Sequence, residues 1–228
     1  MHRASVLKQL RELLPADRAI PIDEAKAIAE RQANRLLHLL GITEPSVNIA
    51  KLIDLPHIRV RVMSPLPVSG MTYWNKTHWD IAVRKGDSST RRRFTLAHEF
   101  KHIIDHPHID TLYPDLNVSA TTGKRVEAIC DYFAACLLMP ALWVQREWER
   151  GVHDAAVLAR IFKVSPAAMK IRLAYLNLGG VPNKPVKESD GDVRGYFRML
   201  PMPAMATVAI DVAAEPCPFM QFLADRLS

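Results

Sequence analysis

The chain has 228 residues, of which 49% are hydrophobic and 24% are charged. This composition excludes an intrinsically disordered chain and leaves room for one medium-sized folded domain with an appendage. The formal net charge of +6 permits an acidic partner, including nucleic acid, but does not specify one.

The cysteines and the apolar stretches indicate a cytoplasmic protein that does not enter a membrane. The three cysteines form no Cys-x-x-Cys pair, and an odd number argues against a disulfide framework. Charged residues near the start leave no apolar core for a signal peptide. The longest apolar stretch, residues 134–144, is interrupted by Pro140 and is too short to span a bilayer.

The first half of the chain predicts one helix followed by short strands. Residues 21–40 read as a helix, because acidic residues follow Pro21 and Gly41 suits the end. Alternation of apolar residues with arginine predicts a strand that begins at Ile58. Two further strands are predicted and are joined by a turn. The two strands are residues 70–74 and 79–83, and the turn between them is residues 75–78.

The second half of the chain predicts a series of helices. Pro107 ends the first of them, and proline-rich sequence with weak periodicity follows the last. The predicted helices are residues 91–105, 124–139, 154–162 and 166–178, with a loop over residues 108–122. We therefore expect an N-terminal segment at residues 1–20, a main domain at 21–180 and a C-terminal appendage at 181–228.

The segment His98-Glu99-Phe100-Lys101-His102 predicts a site for one zinc ion. Residues four apart on a helix lie about 40° apart around its axis, so both imidazoles can reach one cation. Neutral imidazole is a common zinc ligand. Glu99 is rotated by about 100° from His98 and stands beside the ion. There its carboxylate can take a proton from a water activated by the metal and hand it to a leaving amine.

A catalytic zinc site takes three protein ligands and keeps one position open. We favour Glu127 as the third ligand, because antiparallel packing of the next helix would bring it back past the first. Asp131 lies one turn further on and can accept the free ring N–H of a ligand histidine. His106 continues the helical spacing and is a second candidate for this supporting role, and Cys130 stays an alternative ligand. Asp105 and His108 are weaker candidates for a metal ligand.

The pattern leaves open which residue stabilises the oxyanion of a peptidase reaction. Such a residue donates a hydrogen bond to the developing negative charge, and the metal can supply part of the same stabilisation. The candidates are Tyr113, Tyr132, His106 and Arg172.

Two longer motifs resemble those of one family. They are Arg-Phe-Thr-Leu-Ala-His-Glu at residues 93–99 and Phe-Ala-Ala-Cys-Leu-Leu-Met-Pro at residues 133–140. Both resemble motifs of the ImmA/IrrE family of zinc metallopeptidases, and the resemblance extends over about residues 22–178. The run from Glu127 to Asp131 also resembles the Glu-x-x-x-Asp helix of thermolysin-like, gluzincin peptidases.

The resemblance implies an α+β fold in which a small antiparallel sheet packs on a mainly helical, zincin-like domain. It implies His98, His102 and Glu127 as zinc ligands and Glu99 as the general base. Studied members cleave DNA-binding repressors. The resemblance therefore implies a zinc-dependent endopeptidase whose substrate is an intracellular regulator, such as a helix-turn-helix repressor or an antitoxin-like protein.

The chain departs from the family pattern at two positions near the motif. Many relatives have Gly in place of Lys101 and Asn in place of Asp131. We expect Lys101 to point outward and leave the metal site intact. We expect Asp131 to keep the hydrogen-bonding capacity of Asn. The proline-rich residues 181–228 have no counterpart in the family.

Two other functions stay open. Residues 154–178 resemble a helix-turn-helix, with Ser165 as N-cap and Pro166 as the first helical residue, so these helices are candidates for direct DNA contact. Against this, Lys163 stands where such turns usually have Gly. The second of these functions is that of an inactive zinc-binding partner protein, although a structural zinc site has no need of Glu99.

Overall fold

The computed structural model describes residues 5–15, 17–52, 55–114 and 120–179. The predicted appendage, residues 181–228, lies outside these ranges. Contacts and burial below concern the described residues.

The described residues form a small sheet surrounded by helices, which confirms the predicted α+β class. The strands are β1 (Ile58–Met63), β2 (Gly70–Trp74) and β3 (Trp79–Arg84). The α-helices are α1 (Val6–Arg11), α2 (Ile22–Leu39), α3 (Ser89–Asp105), α4 (Ile109–Leu112), α5 (Ala120–Leu138), α6 (Ala141–Glu149), α7 (Ala155–Phe162) and α8 (Pro166–Tyr175). Short 3₁₀ helices cover Ile49–Leu52 and His106–His108.

The bounds agree closely with the predicted ones except at three short helices. Helix α1 lies in the predicted N-terminal segment, α4 lies in the predicted loop, and α6 follows Pro140, which is its N-cap. Helices this short depend on tertiary packing more than on their own sequence, so periodicity is a weak guide to them. Helix α5 also begins four residues earlier than the predicted 124.

The sheet is mixed, and the expectation of an antiparallel sheet was wrong. Strand β3 is central and pairs in parallel with β1, as at Val60 and Ile81, and antiparallel with β2. Two chain reversals, one before β2 and one after it, leave β1 and β3 running in the same direction. Residues 79–83 of the central strand β3 are buried throughout, whereas β1 and β2, at the edges, expose part of their length. The hairpin predicted at residues 75–78 is confirmed.

Helix α3 is the central element of the fold. It begins at Ser88, whose side chain accepts a hydrogen bond from the backbone N–H of Arg91 at 3.2 Å. One side of α3 contacts β2 and β3, another contacts α5, and α5 also packs against α2. Side chains of α3 are buried over most of its length, which puts the predicted metal motif in the interior.

Helix α1 packs into the same core and holds the end of α3. Leu10 is fully buried among residues of α2 and α3. The guanidinium of Arg11 donates to the carbonyls of Ile103 at 2.8 Å and Ile104 at 3.2 Å. These carbonyls belong to the last turn of α3, where the helix itself offers few partners. The first helix thus stabilises the C-terminal end of the helix that carries the motif.

Among the described residues, no single helix has the length and apolar character needed to cross a membrane. Helix α5 from Thr122 and helix α6 meet that requirement of length and composition only as a pair, with a bend of 49° between them.

Candidate metal centre

The three side chains that define the His-Glu-x-x-His motif of α3 lie inside the protein. His98 is 3% exposed, Glu99 is 2% exposed and His102 is 5% exposed. Burying polar groups without partners is costly, so neighbouring elements must supply partners. Helix α5 supplies them for the histidines, and strand β2 supplies them for the glutamate.

The two histidines point their Nε2 atoms at each other and at α5. The Nε2 atoms of His98 and His102 are 3.2 Å apart. Glu127 of α5 completes the group, with Oε2 at 3.3 Å from Nε2 of His98 and Oε1 at 3.5 Å from Nε2 of His102. The structure thus brings together the three side chains that were predicted as ligands.

The separations within this group fit a bound cation. Zn–N bonds of about 2.0–2.1 Å in a tetrahedral site place neighbouring ligand atoms about 3.3 Å apart. Oε2 of Glu127 is buried and has no hydrogen-bond partner among the described residues, because its approach to Nε2 of His98 lacks hydrogen-bond geometry. Such an orphan atom is rare in native proteins. A metal ion at this point would satisfy it.

Asp131 occupies the other nitrogen of His98. Its Oδ1 atom lies 2.8 Å from Nδ1 of the imidazole. A carboxylate only accepts hydrogen bonds, so Nδ1 must carry a proton and the imidazole is held in one orientation. With Nε2 deprotonated, its lone pair faces His102 and Glu127. Asp131 therefore stands where the supporting carboxylate was predicted, one helical turn beyond Glu127.

Three carboxylates surround the two imidazoles and create a demand for positive charge. Burial would lower the pKa of His98, but the hydrogen bond to Asp131, the close carboxylate of Glu127 and the charge of Glu99 outweigh it and raise the pKa to about 10. Burial would raise the pKa of Glu127, but the contacts with His98 and His102 lower it. Without a cation, a second proton on His98 meets this demand, and a bound metal would displace that proton.

Cys130 offers an alternative third ligand on the far side of His102. Its Sγ atom is 3.7 Å from Nδ1 of His102. Candidate ligand atoms of His98, His102 and Cys130 all lie within 4.8 Å of one another. Two observations favour Glu127 instead. The carboxylate lies on the Nε2 side, where both histidines converge, and burial raises the pKa of the Cys130 thiol well above its usual value, which disfavours the thiolate that binds metals.

Glu99 turns away from the histidines toward strand β2. The hydroxyl of Thr72 donates to Oε2 of Glu99 at 2.9 Å. Gly70 lies against the same side chain, because a Cβ atom there would come within 3.0 Å of Oε1 of Glu99. Neither Thr72 nor Gly70 was predicted as part of the site. A glycine inside a predicted strand was the available signal, since it often marks a close approach of another group.

Lys101 is buried, so the expectation that it points outward was wrong. It is 1% exposed, and its Nζ atom donates to Gln32 of α2 at 2.8 Å and to Oδ1 of Asp105 at 2.6 Å. The hydroxyl of Tyr113 donates to the other oxygen of Asp105 at 3.4 Å. The partners Gln32 and Tyr113 come from other elements, which the pattern of α3 alone does not reveal. We call these four residues the lysine cluster, and His98, His102, Glu127 and Asp131 the histidine cluster.

The remaining oxyanion candidates have internal partners. The hydroxyl of Tyr132 donates to Oε2 of Glu30 at 3.3 Å. Arg172 is buried, and its Nε atom donates to the carbonyl of Met139 at 3.0 Å. Tyr113 belongs to the lysine cluster. We therefore assign the oxyanion role to none of these three.

His106 lies at the end of α3, next to the sheet. Its ring packs edge-on against Trp79, with ring centroids 4.8 Å apart. Burial and the nearby charge of Arg11 lower the pKa of this imidazole. The ring contact places His106 beside strand β3, and its supporting role at the metal centre stays a prediction.

Helices α7 and α8 form the pair that was compared with a helix-turn-helix. Lys163 ends α7 with φ of 52°, in the left-handed region where Gly is usual. Ser165 caps α8 by accepting from the N–H of Ala168 at 3.1 Å. The first turn of α8, which such proteins insert into the major groove, begins with Pro166 and Ala167. These side chains offer no hydrogen-bonding groups for reading bases.

The fold and this site define an α+β protein built around a His-Glu-x-x-His helix. Residues 57–174 match the model of the Peptidase_M78 family, described as the IrrE N-terminal-like domain. That match covers more than half of the 228 residues. The chain therefore belongs to this family, which confirms the resemblance inferred from the motifs.

The fold is also similar to that of a solved structure, a Mycobacterium tuberculosis transcriptional regulator. The two align with a TM-score of 0.55 and 20% sequence identity over 78% of this chain. The chain spans about half of that protein's length, 53%. At this identity the likeness concerns the fold alone. Among curated proteins, no sequence matches significantly.

Proposed function

We propose that this protein is a zinc-dependent peptidase in which His98, His102 and Glu127 hold one zinc ion. The observation that carries the proposal is the convergence of both Nε2 atoms and the Glu127 carboxylate at separations of 3.2 to 3.5 Å. The absence of a hydrogen-bond partner for the buried Oε2 atom of Glu127 among the described residues adds to this support. Zinc held by these three residues would supply Lewis acidity, the property that polarises a peptide carbonyl and lowers the pKa of a water molecule.

Glu99 is the general base of the proposed reaction. Its carboxylate lies outside the group of ligands, on the side of α3 that faces β2. There it accepts the proton of the attacking water and then passes it to the leaving amine. Asp131 supports the reaction indirectly by holding the imidazole of His98 in one orientation.

The proposed substrate is a cytoplasmic regulatory protein, such as a DNA-binding repressor or an antitoxin-like regulator. The resemblance to ImmA/IrrE peptidases supports this class. Access to the histidine cluster also favours a flexible segment of that substrate. The side chains of Glu127 and Asp131 are 28% and 26% exposed, whereas both histidines are buried. A site whose histidines are buried and whose carboxylates are only partly exposed suits an extended chain better than a folded surface.

Metal content tests the ligand assignment. Purified full-length protein is expected to contain one zinc ion per chain by inductively coupled plasma mass spectrometry. His98→Ala is expected to lose it, because two ligands remain where a zinc site needs three. His38→Ala, at an exposed histidine of α2, is the matched control and keeps the metal. Stoichiometric zinc in His98→Ala would contradict the assignment.

Cleavage of a co-expressed protein tests the base. Glu99→Gln keeps the size of the side chain and should retain zinc, while cleavage of a candidate helix-turn-helix repressor falls by about 10²- to 10⁴-fold. Glu149→Gln, at the exposed end of α6, is the matched control. Intact-mass measurement of the products identifies the cut. Equal cleavage by Glu99→Gln and the parent protein would rule out this base. Zinc binding without cleavage of any candidate by the parent protein would favour the inactive partner protein.

A further inference from the structure

Strand β2 holds the carboxylate of Glu99 at two neighbouring positions of one face. Residues two apart on a strand point to the same side. Gly70 and Thr72 therefore both face α3, and both contact Glu99. Strand β2 contacts α3 directly.

Thr72 fixes one oxygen of the carboxylate. Its hydroxyl lies 2.9 Å from Oε2 of Glu99 and 3.4 Å from the backbone carbonyl of the same residue. A threonine hydroxyl has one proton to donate. The shorter contact with the charged acceptor is the stronger one. Thr72 therefore engages Oε2, and the proton-accepting role falls to Oε1.

Gly70 limits the position of the other oxygen by close packing. A Cβ atom at this position would lie 2.2 Å from Cγ2 of Thr95 and 3.0 Å from Oε1 of Glu99. Only glycine lets the strand approach α3 this closely without moving one of these side chains. The close approach of β2 at Gly70 thus limits where Oε1 of Glu99 can lie.

We propose that Gly70 and Thr72 are positioning residues for Glu99, which hold its carboxylate in the orientation needed for proton transfer. This inference rests on the proposed function, since it assigns Glu99 the role of base. A merely structural role would explain a partner for a buried carboxylate. The positioning role predicts in addition that turnover depends on the Thr72 hydroxyl even when folding and metal content are unchanged.

Substitutions at Thr72 separate the two roles. Thr72→Val keeps the shape and the β-branching that suit a strand but removes the hydroxyl. Its kcat for the repressor that the parent protein cuts is expected to fall by about 10- to 100-fold, because small misplacements of catalytic groups have effects of this size. KM and zinc content should stay close to those of the parent protein. Thr72→Ser restores the donor and should restore most of kcat.

Substitutions of glycine test the close packing at Gly70 in the same way. Gly70→Ala is expected to lower kcat at least as much as Thr72→Val, because Glu99 or Thr95 must move to accommodate the methyl group. Gly86→Ala is the matched control, since a Cβ atom there meets no described atom within 4 Å. Its kcat should equal that of the parent protein.

Cobalt(II) substitution supplies a readout that needs no substrate. The visible absorption of cobalt(II) responds to the geometry and surroundings of a metal site. Thr72→Val loaded with cobalt(II) chloride is expected to show the spectral change that Glu99→Gln shows, and Thr72→Ser the spectrum of the parent protein. A parent-like spectrum and a parent-like kcat for Thr72→Val, beside an inactive Glu99→Gln, would overturn the positioning role alone. Full cleavage by Glu99→Gln would instead overturn the proposed function.

Discussion

Helix α3 carries two buried polar clusters that differ in how their charges are compensated. In the lysine cluster, the ammonium of Lys101 meets the carboxylate of Asp105 at 2.6 Å, and Gln32 and Tyr113 add hydrogen bonds. Protein groups alone provide this compensation. In the histidine cluster, the two carboxylates face two imidazoles that carry no charge in the neutral form that binds metals, and one oxygen of Glu127 has no hydrogen-bond partner within the described residues.

The contrast separates a structural polar cluster from a functional one. A buried ion pair with its own hydrogen bonds needs no ligand, and it need not contribute much to stability relative to apolar packing. A buried group that is left without a partner costs free energy and calls for an explanation, such as a missing ion. The two clusters lie on neighbouring turns of one helix. Variants of each should therefore affect different properties.

The largest expected effect is on stability, from breaking the lysine cluster. Lys101→Ala should lower the free energy of unfolding by about 3–5 kcal/mol, because it leaves the carboxylate of Asp105 buried without its cation. Urea denaturation of metal-free protein measures this change. Zinc stoichiometry of the folded protein should not change.

A double variant keeps the test of the ion pair informative if Lys101→Ala fails to fold. Lys101→Met combined with Asp105→Leu removes both charges and should recover most of the lost stability. If Lys101→Ala were as stable as the parent protein, the ion pair would not be a compensated buried pair. The contrast between the clusters would then fail.

An intermediate effect is expected on zinc affinity, from the carboxylate that orients His98. Asp131→Ala should weaken zinc binding by about 10- to 100-fold, because partners that orient a ligand histidine contribute to this extent. This corresponds to about 1.4–2.7 kcal/mol. Competition with a chromophoric chelator measures it. Asp131→Asn keeps a hydrogen-bond acceptor and should bind within a few-fold of the parent protein. Unchanged affinity in Asp131→Ala would show that His98 needs no support from α5.

The smallest expected effect is on stability, from Tyr113→Phe, and it tests whether the two clusters act separately. Tyr113→Phe removes the 3.4 Å hydrogen bond to Asp105 and should cost about 0.5–1.5 kcal/mol of stability in urea denaturation. Zinc affinity should stay unchanged, because the hydroxyl belongs to the lysine cluster alone. A loss of zinc affinity without a loss of stability would instead show that the clusters act as one network.

Much of the secondary structure and part of the site were predictable from the chain. Helix α2, the three strands and helices α3, α5, α7 and α8 have strong periodic patterns, and their observed bounds agree with the predicted ones to within a few residues. The face shared by His98 and His102 follows from the helical repeat, so their convergence was predictable too. Glu127 and Asp131 were predicted from the assumption that consecutive helices pack antiparallel. Helices α3 and α5 do pack against each other.

The errors concern features that depend on other parts of the chain. Whether β1 pairs with β3, and so in parallel, depends on which strand becomes central, and alternation within one strand does not reveal the strand order. Lys101 was expected on the surface because its burial depends on Gln32, which lies 69 positions away. An ion pair with Asp105 at i+4 was a local signal that was available.

The sequence by itself determined the family, the helix that carries the His-Glu-x-x-His motif and the side on which its histidines lie, because these depend on residue types and on the geometry of one helix. Tertiary structure decided which groups surround that helix. It set Glu127 rather than Cys130 opposite the two Nε2 atoms, and it brought Thr72 of β2 to the carboxylate of Glu99. Such contacts arise when separate elements pack together, and periodicity describes each element only relative to its own axis.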